Sequence, residues 1–134
     1  DEMKEIGVDI GTNTGLALAE AGALKEVFST TILEAFDYCL KHKDAHFKIE
    51  DARKLRFDSG KRGRLQGAGS IKRDAAIWEG FMEKHGLSYE LIRPRSTIKK
   101  VDARRFKMIT GWEGRTNEHA RDAAMLIFRR KRSY

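Results

Sequence analysis

Between Lys4 and Thr31 the chain alternates apolar and polar residues, and two short turn sequences interrupt the alternation. Lys4-Glu5-Ile6-Gly7-Val8-Asp9-Ile10 reads as a strand, and Gly11-Thr12-Asn13-Thr14-Gly15 as a turn. Leu16 to Glu20 then returns as a second strand, Ala21-Gly22 turns again, and Leu24 to Thr31 is a third. Strands joined by turns this short pair as antiparallel neighbours, so the chain opens with a three-strand meander.

Beyond Thr31 the period changes. Ile32, Leu33, Phe36 and Leu40 recur at helical spacing, which predicts a helix over Thr31–Lys43. Ala45 to Glu50 reads as a fourth strand, with Phe47 and Ile49 on one face. Arg53 to Gln66 is basic, contains Gly60 and Gly63, and reads as an exposed loop. A long helix is predicted over Gly67–Gly86, with Ile71, Ala75, Trp78 and Met82 on one stripe. Leu87 to Ile92 is a fifth strand, stopped by Pro94. Ser96 or Thr97 is the expected cap of a helix reaching Thr110, and Thr116 or Asn117 of a last helix reaching about Arg130. Strands four and five arrive through helical crossovers. The expectation is an α/β fold with a five-stranded mixed sheet flanked by helices, in a single domain spanning residues 1–134.

Charge separates the halves. Residues 1–51 carry five Lys/Arg against eleven Asp/Glu, and residues 52–134 carry twenty-two against nine. A basic half suits a polyanion such as nucleic acid, and an acidic half can gather divalent cations. Cys39 is the single cysteine, which excludes an internal disulfide and fits a reducing, cytoplasmic setting. Its apolar neighbours mark it as a packing residue. No apolar run is long enough for a membrane helix, and Asp1-Glu2-Met3-Lys4 does not read as a secretory leader.

Three groups could carry chemistry. Asp9 ends the first strand beside a tight turn, where a carboxylate is held rigidly at the rim of the sheet. Glu50 ends the fourth strand. If that strand lies beside the first, the two carboxylates repel each other unless a cation sits between them. Asp51 is the alternative, but alternation sends it to the opposite face. On the last helix, His119 and Asp122 are spaced i,i+3 and share a face, as do Glu118 and Asp122 at i,i+4. Ala120, Ala123, Ala124 and Ile127 form the side that lies on the sheet. The Val8-Asp9-Ile10-Gly11-Thr12 stretch also suits the phosphate turn of sugar-kinase-like ATPases. That fold needs a second, similar domain, for which the chain is too short.

Taken together, these groups resemble the RuvC-type Holliday junction resolvases of the RNase H-like fold, in the same order over nearly the whole chain. Asp9 matches that family's first-strand Asp, and Glu50 its strand Glu. Asp122 in Asp122-Ala123-Ala124 matches the Asp of its last helix, and His119 the partner three residues earlier. The length suits a compact, phage-encoded member. The resemblance implies phosphodiester hydrolysis with two Mg²⁺ ions, replaceable by Mn²⁺, in DNA recombination and repair. It implies Asp9 bridging both ions, Glu50 and Asp122 each helping to hold one, and His119 as a ligand or proton-transfer group.

Basic residues expected on DNA are Arg53, Lys54, Arg56, Lys61, Arg62 and Arg64 in the loop, and Arg95, Lys99, Lys100 and Arg104 after the fifth strand. The tail Arg129-Arg130-Lys131-Arg132 also suits its own helix end. The family often places aromatic wedges just after its strand Glu. Here the sequence is Asp51-Ala52-Arg53, a departure from that pattern; Phe57, a few residues on, is a candidate wedge, and the wedge residue stays open. A four-way junction is nearly two-fold symmetric and loses two bonds, so one site per chain implies a homodimer. The resemblance puts the long helix at the interface, although Ile71, Trp78, Phe81 and Met82 read more simply as core. Other substrates for the same fold, such as RNA–DNA hybrid or flap DNA, and a non-catalytic nucleic-acid-binding module remain open at this level. His42, His46 and His85 show no ligand spacing.

Overall fold

The computed structural model describes residues 3–51, 62–93 and 100–128, excluding the side chains of 62–71. The meander forms as β1 (Lys4–Asp9), β2 (Thr14–Glu20) and β3 (Ala23–Thr30). Thr14 donates its hydroxyl to the Gly11 carbonyl at 2.9 Å and closes the first turn. Ala21 and Gly22 both take positive φ, 54° and 84°, as a two-residue hairpin turn matched to strand twist requires.

Helix α1 (Ile32–Lys41) starts where Thr31 accepts the Glu34 N–H on its side chain. β4 (His46–Glu50) and β5 (Ser88–Ile92) follow through α1 and α2 (Arg62–Lys84), then come α3 (Ala103–Thr110) and α4 (Glu118–Ile127). The sheet order is β3-β2-β1-β4-β5, antiparallel through β1 and parallel from β1 to β5. This is the five-stranded mixed sheet that the two periods implied. Among the described residues, no helix is long and apolar enough to cross a membrane.

Several boundaries shift by a residue or two, as at the end of α1, and three helix boundaries differ more. α2 begins at Arg62 rather than Gly67, because Arg64, Leu65 and Gln66 are good helix formers and carry the turn past Gly63. α3 is capped by Asp102, whose side chain accepts the Arg105 N–H at 2.8 Å, rather than by Ser96 or Thr97, which lie outside the described residues. α4 ends at Ile127, where Phe128 turns to extended backbone, and not near Arg130.

Alternation sorts the strands onto two faces. Ile6, Val8, Leu16, Leu18, Phe47 and Ile49 point one way and pack on Ala35 and Cys39 of α1 and Trp78 and Met82 of α2. Burial pushes the Cys39 thiol up to about 12, so it is an inert packing group, as expected. Ala17, Ala19 and Val27 point the other way, against Ala120, Ala123, Ala124 and Ile127 of α4 and Phe106 of α3.

Candidate active site

Asp9 and Glu50 are direct partners in the parallel β1–β4 ladder, so both carboxylates leave the sheet on the same face at its rim. That is the face α4 covers. Asp51, one residue on, is buried at 2% exposure.

The approach of α4 is set by two glycines. A Cβ on Gly15 would stand 2.0 Å from the His119 carbonyl oxygen, and one on Gly7 would stand 2.0 Å from that of Ala123. Those carbonyls are four residues apart, so one stripe of helix backbone rests directly on β2 and β1. Asn117 fixes the start of the helix: its side-chain oxygen accepts the Ala120 N–H at 2.9 Å, and its amide donates to the Ser29 hydroxyl at 2.5 Å. The first turn of α4 is thereby clamped over the ends of β1 and β4.

This brings His119 and Asp122 to the strand carboxylates. His119 Nδ1 lies 3.1 Å from Asp9 Oδ2. Burial raises the Asp9 pKa, the His119 hydrogen bond opposes it, and the Asp122 charge raises it further. Glu50 is also raised, first by burial and then by Asp9 and Asp122. Asp9 thus feels the Asp122 charge, and Glu50 feels both. Among the described residues no three acidic or histidine side chains converge into a closed cation cage as they stand. The donor set still fits a hard divalent cation: three carboxylates whose repulsion a cation relieves, with one imidazole beside them.

Two features of the site were not assigned from sequence. Lys100, expected as a phosphate contact, lies beside the carboxylates in this structure: its ammonium is 2.5 Å from Glu118 Oε1 and 3.4 Å from Asp122 Oδ2. No spacing rule links residue 100 to α4, so the sequence carried no signal for it. Arg121 donates to the Val101 carbonyl at 2.8 Å and to Thr116, tying both flanking segments to α4. The glycines did leave a signal, since glycine inside a strand marks close backbone approach.

Of the residues expected on DNA, Lys100 and Arg104 are described, and both are exposed. Arg53, Lys54, Arg56, Phe57, Lys61, Arg95 and Lys99 lie outside the described residues, as do the side chains of Arg62, Arg64 and Ile71. Trp78 and Met82 are core, and Phe81 is partly buried against Phe36 at a ring separation of 4.3 Å. His46 is half-buried against Ser88 and Glu90, away from the carboxylates.

No family profile matches the sequence, and no curated protein matches it. The fold does match solved structures. Thermus thermophilus RuvC superposes with a TM-score of 0.60 at 14% identity, covering 93% of this chain and 91% of that one. T. thermophilus RuvC in complex with a Holliday junction substrate superposes with a TM-score of 0.58, also at 14% identity, covering 93% and 90%. The chain therefore has the RNase H-like fold in its RuvC-type form.

Proposed function

We propose that this chain is a metal-dependent endonuclease that resolves four-way DNA junctions, acting as a homodimer with one nuclease domain per subunit. The observation that carries the reading is the in-register Asp9–Glu50 pair at the sheet rim, with His119 and Asp122 brought over it by α4. The likeness to a RuvC structure that holds a Holliday junction supports the substrate.

Asp9, Glu50 and Asp122 are the residues that would hold Mg²⁺ or Mn²⁺. Bound in pairs, such cations stabilise the attacking and leaving oxygens of an in-line phosphoryl displacement. Asp9 would be the central ligand, with Glu50 on its strand neighbour and Asp122 on α4 completing the carboxylate set. Its hydrogen bond to Nδ1 orients the His119 ring, so Nε2 is the ring nitrogen that would serve the reaction. Through it His119 serves as a ligand or takes the proton of the attacking water. Exposed Arg104 lies on α3, beyond Lys100, and adds phosphate affinity without a sequence code. The lone, buried Cys39 supports a reducing, cytoplasmic setting.

The test is a synthetic four-way junction incubated with the protein, with and without Mg²⁺, beside linear duplex, flap DNA and RNA–DNA hybrid. Paired symmetric nicks confined to the junction are expected. Metal-dependent cutting of hybrid or flap in preference to the junction would move the assignment to another RNase H-like nuclease. Tight binding with no cutting in Mg²⁺ or Mn²⁺ would leave a non-catalytic binding module.

A further inference from the structure

Lys100 occupies an unusual position for a surface lysine. Its side chain is 67% exposed, yet its ammonium lies against Glu118 and Asp122. It also opposes the upward push on both Asp9 and Glu50. It is thus the only described cation paired with Asp122, the carboxylate that α4 contributes to the site. The backbone beside it is anchored: Arg121 holds the Val101 carbonyl, and Asp102 caps α3. The side chain is thus largely exposed, while the backbone that follows it is tied to α4 and α3.

We infer that Lys100 is a built-in, displaceable counter-ion of the carboxylate cluster: its ammonium neutralises Asp122 and Glu118 until a divalent cation enters, and is then expelled toward the DNA phosphate. The inference rests on the metal-dependent reading above. Its physical basis is competition. Asp122 Oδ2 cannot keep an ammonium and accept a divalent cation in the same place, because the two cations repel at that separation. The ammonium therefore lowers the apparent metal affinity by the fraction of time it occupies the carboxylates. Once expelled, it remains within a side chain's length of the site and presents its charge to an incoming phosphate. Metal entry and phosphate capture then become one linked event, and the carboxylates are never left uncompensated.

The experiment is a Mg²⁺ titration of DNA-free full-length protein by calorimetry, for wild type, Lys100→Met and Asp9→Asn. It is joined to ¹³C NMR of the lysine ε-carbons, with the Lys100 signal assigned by its absence in Lys100→Met. Lys100→Met should bind Mg²⁺ about fivefold or more tightly than wild type. The Lys100 signal of the wild type should move with the same midpoint as the heat of binding. A static Lys100 signal during Mg²⁺ binding overturns the inference. So does an affinity that Lys100→Met leaves unchanged or lowers. Wild-type protein that binds no Mg²⁺, or binds it equally well as Asp9→Asn, fails the metal reading itself, and the inference with it.

Discussion

The two faces of the sheet are packed on different terms. Toward α1 and α2 the strands offer Ile6, Val8, Leu16, Leu18, Phe47 and Ile49, and the helices answer with Trp78 and Met82. Toward α4 they offer Gly7, Gly15, Ala17 and Ala19, and the helix answers with Ala120, Ala123 and Ala124. The first face buries large side chains, which is where most hydrophobic stabilisation comes from. The second gives up side-chain volume so that a helix backbone can sit directly on the sheet. What that proximity secures is the meeting of His119 and Asp122 with Asp9 and Glu50. One face holds the fold together, and the other sets distances between charges.

Substitutions can break that contrast. The largest effect is expected at Asp9: Asp9→Asn should lower metal-dependent junction cutting by about 10³-fold or more with the circular dichroism spectrum unchanged. On the opposite face, Trp78→Ala should cost about 3–5 kcal/mol in denaturant unfolding. The protein still folded should keep wild-type Mg²⁺ affinity, and a fall in that affinity would mean the two faces are not separable. Gly15→Ala should cost about 1–3 kcal/mol by overpacking. It should also slow cutting by about 10²-fold, because its methyl lifts the helix turn that carries His119. Ile49→Val, equally buried on the other face, should lose stability without that loss of rate. Asn117→Ala removes the α4 cap and should cost about 1 kcal/mol.

The smallest effect is a gain. Asp9 and Glu50 have raised pKa values in the fold, so each is harder to ionise there than in the unfolded chain. Neither affects stability below the ordinary carboxylate range, where both states are protonated. As pH rises through that range toward the folded values, each costs stability. Metal-free Glu50→Gln should therefore melt higher than wild type at neutral pH, with the gap closing in acid. Saturating Mg²⁺ should reverse the order.

Much of this contrast was legible in the sequence. Asp9 and Glu50 each read as the end of a strand, alternation favoured Glu50 over Asp51, and the i,i+3 spacing put His119 and Asp122 on one side of a helix; that the two strands are neighbours came from the structure. The Ala-rich face of that helix was also visible in Ala120, Ala123 and Ala124. The role of Gly7 and Gly15 was present as glycine within strands, but only the position of the helix gave it meaning. The start of α2 was misplaced because Gly63 read as a loop residue, although its neighbours favour helix. Lys100 was out of reach, since what it touches is decided by how the segment after β5 is tied to α4 through Arg121, a tertiary matter that no local period encodes.

The central claim is that carboxylates from β1, β4 and α4 make one divalent-cation site. Anomalous diffraction from crystals soaked in Mn²⁺ tests it most directly. The expected result is Mn²⁺ density bounded by Asp9, Glu50 and Asp122, absent in Asp9→Asn. Crystals that show no Mn²⁺ there, or show it only elsewhere while the protein still cuts junctions, would contradict the claim.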